Sequence, residues 1–459
     1  MADNFVKKLK TCTFTCRPRS QKTTTLFNCP TEVINKVFDY LDLPSLSRLA
    51  FTSKSLRDLI HNYYIKPQNG YRRLLSNHFN CKDFLNPGDQ DERAKSDHIS
   101  FFENLGLLFK RLTCLYPTDE RLGLMVTFMH RVTQGLPNHK TTKQKNYNAS
   151  FVLKCFGTFL HTIIIGWEEN ECIKVFQFLE TTFELEQVVS DVIDSMPGES
   201  NGCEYFVRCF YRYICLDRLR RPEDKRFWIS MIISKYTNDC KSGSDAFSIM
   251  ARLLIIFFGP LVLDEELGTP MIAWTELTFR FFTKELHLLG QYIQYFNQLW
   301  SDEKIFHLIS FITKFPDPWS PENIGSLFYL CGEKIVKARL WHHFVNGEIM
   351  PAANVIIYQA LVCQKVNGMI NNNILDMIEE CLSSNVSTEL KQEFITALPQ
   401  AFTDAYAEMD ILVDDEDERD SKDLLDIVSS MGSFIFLLIY RHYSSLICPT
   451  DLVIRQLTY

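Results

Sequence analysis

The sequence predicts an all-α protein, with a small N-terminal group of three helices followed by a long helical body. Three observations carry this. From about residue 98 onward, apolar residues recur at helical spacing almost without relief. The segments carrying that period are separated by Pro, Gly, Asn and Asp turns. No segment shows sustained alternation with a period of two, so no strand is expected.

The N-terminal group runs from Phe27 to Ile60. Pro30 can open the first helix, where its missing N–H would be unpaired in any case. Glu32 places a negative charge in the first turn, which suits the helix dipole. Val33, Val37 and Leu41 repeat at i+4, and Ile34 and Phe38 form a second row beside them. Pro44 starts a second helix carrying Leu46 and Leu49. Thr52 or Ser53 can cap a third, carrying Leu56, Leu59 and Ile60. Three helices in so short a stretch cannot bury this much apolar surface by themselves, so part of it is expected to meet another surface.

This stretch resembles an F-box, the segment with which F-box proteins dock on the adaptor Skp1. The family signature is Leu-Pro-x-Glu, an Ile/Leu-rich helix, Tyr-Leu, Asp-Leu and a late Val-Cys/Ser-Lys. It stands here as Cys29-Pro30-Thr31-Glu32, Val33 to Phe38, Tyr40-Leu41, Leu43 and Thr52-Ser53-Lys54. Cys29 replaces the usual Leu, and Leu56 stands where Trp is common. Both remain apolar. The resemblance implies that Pro30, Val33, Ile34, Val37, Phe38, Leu41, Leu46, Leu49 and Leu56 meet Skp1.

The body follows in order. His98 to Tyr116 carries Phe101, Phe102, Leu105, Leu108, Phe109 and Leu112, Pro117-Thr118-Asp119 breaks and caps, and Leu122 to Val132 follows. Gly135 to Asn148 reads as a polar, basic loop. Ser150 to Ile165 and Trp167 to Ile193 make the next pair, split at Gly166. Further helices are expected around Tyr205 to Leu219, after Pro222, and over Asp245 to Phe258 until Gly259-Pro260. Met271 to Phe296, Ser301 to Phe315, Ser320 to Phe344, Pro351 to Val366 and Ile370 to Leu382 complete the series. Ser320-Pro321-Glu322 combines an N-cap, a Pro at the first helical position and an acidic first turn. Such pairs suggest antiparallel helices stacked as a HEAT- or armadillo-like array, with an irregular α-helical bundle as the alternative.

Several islands in the body look like the F-box only protein 47 family. They are Leu105-Gly-Leu-Leu-Phe-Lys-Arg111, Gly166-Trp167-Glu168 through Glu171-Cys172, Ile255-Ile-Phe-Phe-Gly-Pro-Leu261, Ala360-Leu-Val-Cys-Gln-Lys365, and the acidic run Asp414 to Asp420 before the last helix. The resemblance implies a substrate receptor of Skp1–cullin–F-box ubiquitin ligases, associated with germ cells and meiotic prophase. A helical scaffold that binds Skp1 without directing ubiquitination is the alternative.

Composition bounds the rest. Of 459 residues 46% are hydrophobic and 36 are Phe, too rich for a disordered chain. The net charge of −8 is unevenly placed. Residues 1–25 are basic and read as a disordered arm, in which Lys7-Lys8-Leu9-Lys10 and Arg17-Pro18-Arg19 could serve as a nuclear address. The stretch 410–426 is strongly acidic. The remainder is mildly acidic, which speaks against capture of a nucleic-acid backbone. The 15 Cys contain no Cys-x-x-Cys and read as buried thiols of a reducing compartment. The apolar run Leu253 to Leu263 is too short to span a bilayer, so no membrane partner is expected. Location is expected to be nuclear and/or cytoplasmic. The domain reading is an arm over 1–25, an F-box over 26–70 and a body over 96–459.

No phosphate loop, nucleophile elbow or His-Glu-x-x-His is present, so no catalytic residue, metal ligand or cofactor is expected. His342-His343 are adjacent and point to different helix faces. One enzyme reading remains: Asp414-Asp415-Glu416-Asp417-Glu418 resembles in outline the Mg²⁺-diphosphate sites of terpenoid synthases. Its lack of apolar periodicity favours a solvated acidic loop. The substrate is expected on the body, about residues 150–345, where all six tryptophans lie: Trp167, Trp228, Trp274, Trp300, Trp319 and Trp341.

Overall fold

The computed structural model describes residues 29–66, 70–79, 92–133, 146–238, 240, 242–264, 268–282, 284–296, 299–367, 372–383, 386–410 and 428–440. The basic arm, most of the expected loop at 135–148, and the acidic run beyond Asp410 lie outside these residues. The chain divides into two units: residues 1–194 with 205–221, and residues 195–204 with 222–459.

The first unit begins with three short helices: α1 (Thr31–Asp39), α2 (Leu43–Thr52) and α3 (Lys54–Tyr64). Their boundaries follow local chemistry. Asp42 caps α2 by accepting from Ser45 N at 2.9 Å, and Ser53 caps α3 through Leu56 N at 3.4 Å. α4 (Gly70–His78), α5 (Glu92–Leu112), α6 (Thr118–Thr133), α7 (Asn146–Ile164), α8 (Glu169–Thr182) and α9 (Leu185–Asp194) follow. α2 packs on α5, α5 on α7, and α7 on the one-and-a-half-turn π-helix Tyr211–Leu216. α4, α6 and α8 form a second row. The core is aromatic: Phe109 meets Phe128 and Phe159 edge-on, each with ring centroids 5.1 Å apart, and Tyr71 stacks beside them. Gly157 makes the α7 contact possible, because a Cβ there would lie 1.9 Å from the Tyr213 carbonyl oxygen.

In sequence α10 (Asn201–Phe210) comes next, with residues 201–204 counted in the second unit and 205–210 in the first. The second unit then holds α11 (Pro222–Thr237), α12 (Gly243–Phe258), α13 (His287–Phe296), α14 (Asp302–Ile312), α15 (Pro321–Cys331), α16 (Glu333–Val345), α17 (Ile349–Asn367), α18 (Asn372–Ser383) and α19 (Thr388–Asp410). A last apolar helix, α20, spans Val428–Tyr440. Two rows emerge. α11, α13, α15, α17 and α19 stack in succession, and so do α12, α14, α16 and α18. This is the two-layer packing of armadillo-type repeats, in which each element buries its apolar face against its neighbours. α17 is long and apolar enough to cross a membrane by length and composition, but most of it is buried between α15, α16, α18 and α19.

Four points differ from expectation, the first being that Trp167 to Ile193 is two helices, α8 and α9, with Glu184 at φ +51° between them. Met271 to Phe296 is not one helix. Leu261–Leu263 (β1) and Pro270–Ile272 (β2) pair as a two-stranded antiparallel hairpin, followed by a 3₁₀ turn at Glu276–Thr278 and only then α13. Strands of three residues are too short to display a period of two. Ser320 to Phe344 is two helices, because Gly332 adopts φ +97° and turns the chain between α15 and α16. α19 was not anticipated, since Pro399 lies inside it.

Buried polar groups fasten the irregular segment. The Asn323 amide donates to Leu277 O at 2.9 Å and Arg280 O at 2.7 Å, and accepts from Phe282 N at 3.0 Å. Glu204, fully buried, accepts from Trp274 Nε1 at 2.8 Å and Gly198 N at 3.1 Å, and pairs with Arg252 at 3.4 Å. The Asn323 and Glu204 side-chain oxygens thereby have partners, which the low dielectric demands.

Candidate partner-docking surface

α1 carries two apolar stripes. Ile34, Phe38 and Leu41 face inward, with Phe38 at 0% exposure and its ring centroid 6.2 Å from that of Tyr63 on α3, and Leu43, Leu46 and Ala50 of α2 and Leu56 and Ile60 of α3 are buried as well. Val33, Val37 and Tyr40 lie at i, i+4 and i+7 on the other side. Val33 is 48% exposed, Val37 is half-buried and Tyr40 is 87% exposed. Pro30 is exposed ahead of the helix, Leu49 is half-buried, and Phe51 at the end of α2 is 78% exposed.

The nine residues singled out from the sequence therefore divide. Ile34, Phe38, Leu41, Leu46 and Leu56 are interior, and they hold the three helices together rather than presenting a face. The reason is α5, which covers α2 and supplies the surface that three helices alone lack. Pro30 and Val33, with Val37 and Leu49 in part, stay available. Tyr40 and Phe51, which the sequence reading did not place in this set, are the most exposed large apolar side chains of the three helices. Their signal was present: Tyr40 continues the Val33–Val37 stripe by a further three positions.

The scaffold beneath is fixed by polar contacts. The Tyr63 hydroxyl donates to both Asp39 carboxylate oxygens at 2.9 Å, tying the end of α1 to α3. Burial, and then Asp39, pushes the Tyr63 phenol above its ordinary range. Arg111 of α5 donates to Ser47 Oγ at 2.8 Å. His61 meets the Tyr116 hydroxyl at 2.7 Å, and burial lowers the imidazole below its usual value. These contacts fix the three helices beneath an outer face on which Val33, Tyr40 and Phe51 stay exposed. Among the described residues there is no group of three or more His, Cys, Asp or Glu able to hold a metal ion. His343 is engaged with Glu348 at 2.7 Å and His342 with Asn346 at 3.1 Å.

The tryptophans are mostly structural. Trp228, Trp274 and Trp319 are buried, and Trp167 and Trp300 are half-buried under Arg121 and Lys304. Trp341 on α16 is 40% exposed. A shared Trp-lined groove is not what the fold provides.

Two family models match this chain. Residues 26–68 match the F-box domain, and residues 181–441 match a model described as FBXO47, ARM repeats. The chain is 28% identical over 414 residues to F-box only protein 47 of Homo sapiens, covering 88% of this chain and 86% of that protein. It is 29% identical over 399 residues to F-box only protein 47 of Mus musculus, covering 85% and 83%.

Proposed function

Because the chain belongs to the FBXO47 family, whose repeat model spans more than half of it, we propose that it is the substrate-recognition subunit of a Skp1–cullin–F-box ubiquitin ligase. F-box proteins in general are adaptor subunits of such ligases rather than catalysts. In this reading α1 to α3 dock on Skp1 and the helical repeats hold a protein substrate near the ubiquitin-charged enzyme. The gain in rate comes from proximity and orientation. The chain itself supplies no nucleophile, metal or general base. A nuclear and/or cytoplasmic location and a role in germ-cell meiosis belong to the same proposal.

The observation that carries it is the outer stripe of α1. A helix whose inner face is already satisfied by α2 and α3, yet keeps Val33, Val37 and Tyr40 outward with Pro30 before them, is built to meet a second apolar surface. The test is reconstitution of the full chain with Skp1, cullin and its RING partner. Wild type co-purifies with Skp1, and Val33→Asp/Tyr40→Ser, on the outer stripe itself, loses it while its melting temperature is unchanged. Undiminished Skp1 binding by that variant removes the proposal. Proteins that are ubiquitinated with wild type and spared with the variant are its substrates.

A further inference from the structure

The repeats must offer the substrate a seat, and among the described residues of the second unit a cleft has the chemistry for it. A cleft of about 430 Å³ opens between α13, α15 and α17, with α16 and α18 completing its walls. That volume lies within the range of ordinary ligand sites. One wall is made of amides and a phenol: Gln291 and Gln294 on α13, Gln359 on α17, and Tyr329 on α15. Another is apolar, formed by Val336, Ile374 and Met377.

The polar wall is only partly used. Gln291 makes no hydrogen bond among the described residues. Gln294 Nε2 donates to Leu330 O at 2.6 Å, which leaves its amide oxygen to accept. The Tyr329 hydroxyl accepts from Asn367 Nδ2 at 3.0 Å, which leaves its proton to donate. A primary amide offers two donors and an acceptor, the complement of a peptide backbone. The lining contains no Lys or Arg, and its one carboxylate, Glu333, is engaged by Lys337. Apart from the His287 imidazole at the start of α13, no side chain of the lining could carry a positive charge against a phosphate or other anion.

We infer that this cleft takes an extended, unphosphorylated peptide segment, pairing its backbone with Gln291 and Gln294 and seating one apolar side chain against Val336, Ile374 and Met377. The inference rests on the substrate-receptor reading and gives that receptor its recognition site. It also moves the site from the middle of the body, expected from the tryptophans, toward residues 287–377.

The probe is a displayed library of random twelve-residue linear peptides, selected on the full-length chain, with the enriched sequence then titrated by fluorescence polarisation. Enriched peptides should share an apolar position. Gln294→Trp starts from an exposed position and fills the cleft, so it should weaken binding by about tenfold or more, the loss expected at an interface centre. Gln291→Ala should weaken it about threefold, the loss of one neutral hydrogen bond. Gln392→Trp, on the exposed face of α19, should change nothing. Skp1 co-purification of the same variants separates the two readings: its loss in wild type overturns the ligase assignment, whereas its retention with no enriched peptide, or with equal affinity in Gln294→Trp, overturns the cleft.

Discussion

The guanidinium of Arg111 lies 5.3 Å from the centroid of the Phe51 ring, so one side chain of α5 rests against one face of a ring that is otherwise exposed near the end of α2. The same guanidinium donates to Ser47 Oγ. The three N-terminal helices are thus fastened to the body by a cation over an aromatic face and a hydrogen bond to a buried hydroxyl. Arg111→Ala removes both, and the exposed cation–π contact and the hydrogen bond together contribute about 1–2 kcal/mol. The variant should melt a few degrees lower, with Phe51 more mobile. An unchanged melting temperature would mean that α2 is held by apolar packing alone.

Glu204 and Arg252 make the most deeply buried ion pair described, with 0% and 6% of their side chains exposed. Removing one member strands the charge of the other, at a cost of about 3–5 kcal/mol. Glu204→Ala should therefore lower the stability of the second unit by that order. It also frees the Trp274 indole N–H, so the tryptophan emission should shift. Calorimetry and fluorescence on the same sample check both.

Glu322 carries a pH dependence whose sign is fixed by its surroundings. Burial raises its pKa above the ordinary 4.5, and the hydrogen-bonded Lys365 at 2.9 Å only partly offsets this. The folded state then binds the proton more tightly than the unfolded state. Stability from this group is greatest at low pH and declines as pH rises from 4.5 through the raised value. Glu322→Gln cannot titrate. Plotted against pH from 4 to 7, the wild-type stability should fall relative to the variant, and a relative rise would reverse the assignment.

The thiols should separate by reactivity, because the thiolate is the nucleophile. Burial pushes Cys155 up to about 12 and Cys209 up to about 11, and Cys215 well above its usual value. Cys114 is exposed at the end of α5. A short pulse of iodoacetamide on the native chain, read by mass spectrometry, should label Cys114 well before these three. Early labelling of Cys155 would show that α7 opens readily.

What the sequence disclosed follows from how local each signal is. Pro30, Ser53, Ser320 and Pro321 act within one turn, so the starts of α1, α3 and α15 were legible. The repeat architecture was legible because turns and caps cut the body into helix-length apolar segments, even where, as in α11, α16 and α17, the apolar residues run nearly all round the helix. The Met271 to Phe296 stretch misled for the opposite reason. Its apolar spacing is helical, but Glu204 and Asn323, distant in sequence, hold Trp274, Leu277 and Arg280 in a non-helical path. Tertiary contacts override propensity there. Gln291 and Gln294 carried no warning, since amides at helical spacing form no motif until a cavity lies before them. The inner and outer stripes of α1 were equally apolar on the page, and only the position of α2 and α3 decides which is covered.

That division of α1 yields the sharpest test. Phe38 has no exposure, so Phe38→Ala removes a core ring and leaves a cavity, at about 3–5 kcal/mol. Val33 is half exposed, so Val33→Ala removes two methyl groups that are already half in water and should fall within about 0.5 kcal/mol of wild type. Both variants should weaken Skp1 binding, but by different routes. With Phe38→Ala the loss should track unfolding, so cooling or a stabilising osmolyte should restore binding in proportion to the folded fraction. With Val33→Ala the folded fraction is full at every temperature, and the reduced affinity should persist on cooling. Melting curves recorded beside Skp1 titrations at two temperatures give both readings. If Phe38→Ala binds weakly while fully folded, the ring reaches the partner after all, and α1 must open to present its inner stripe.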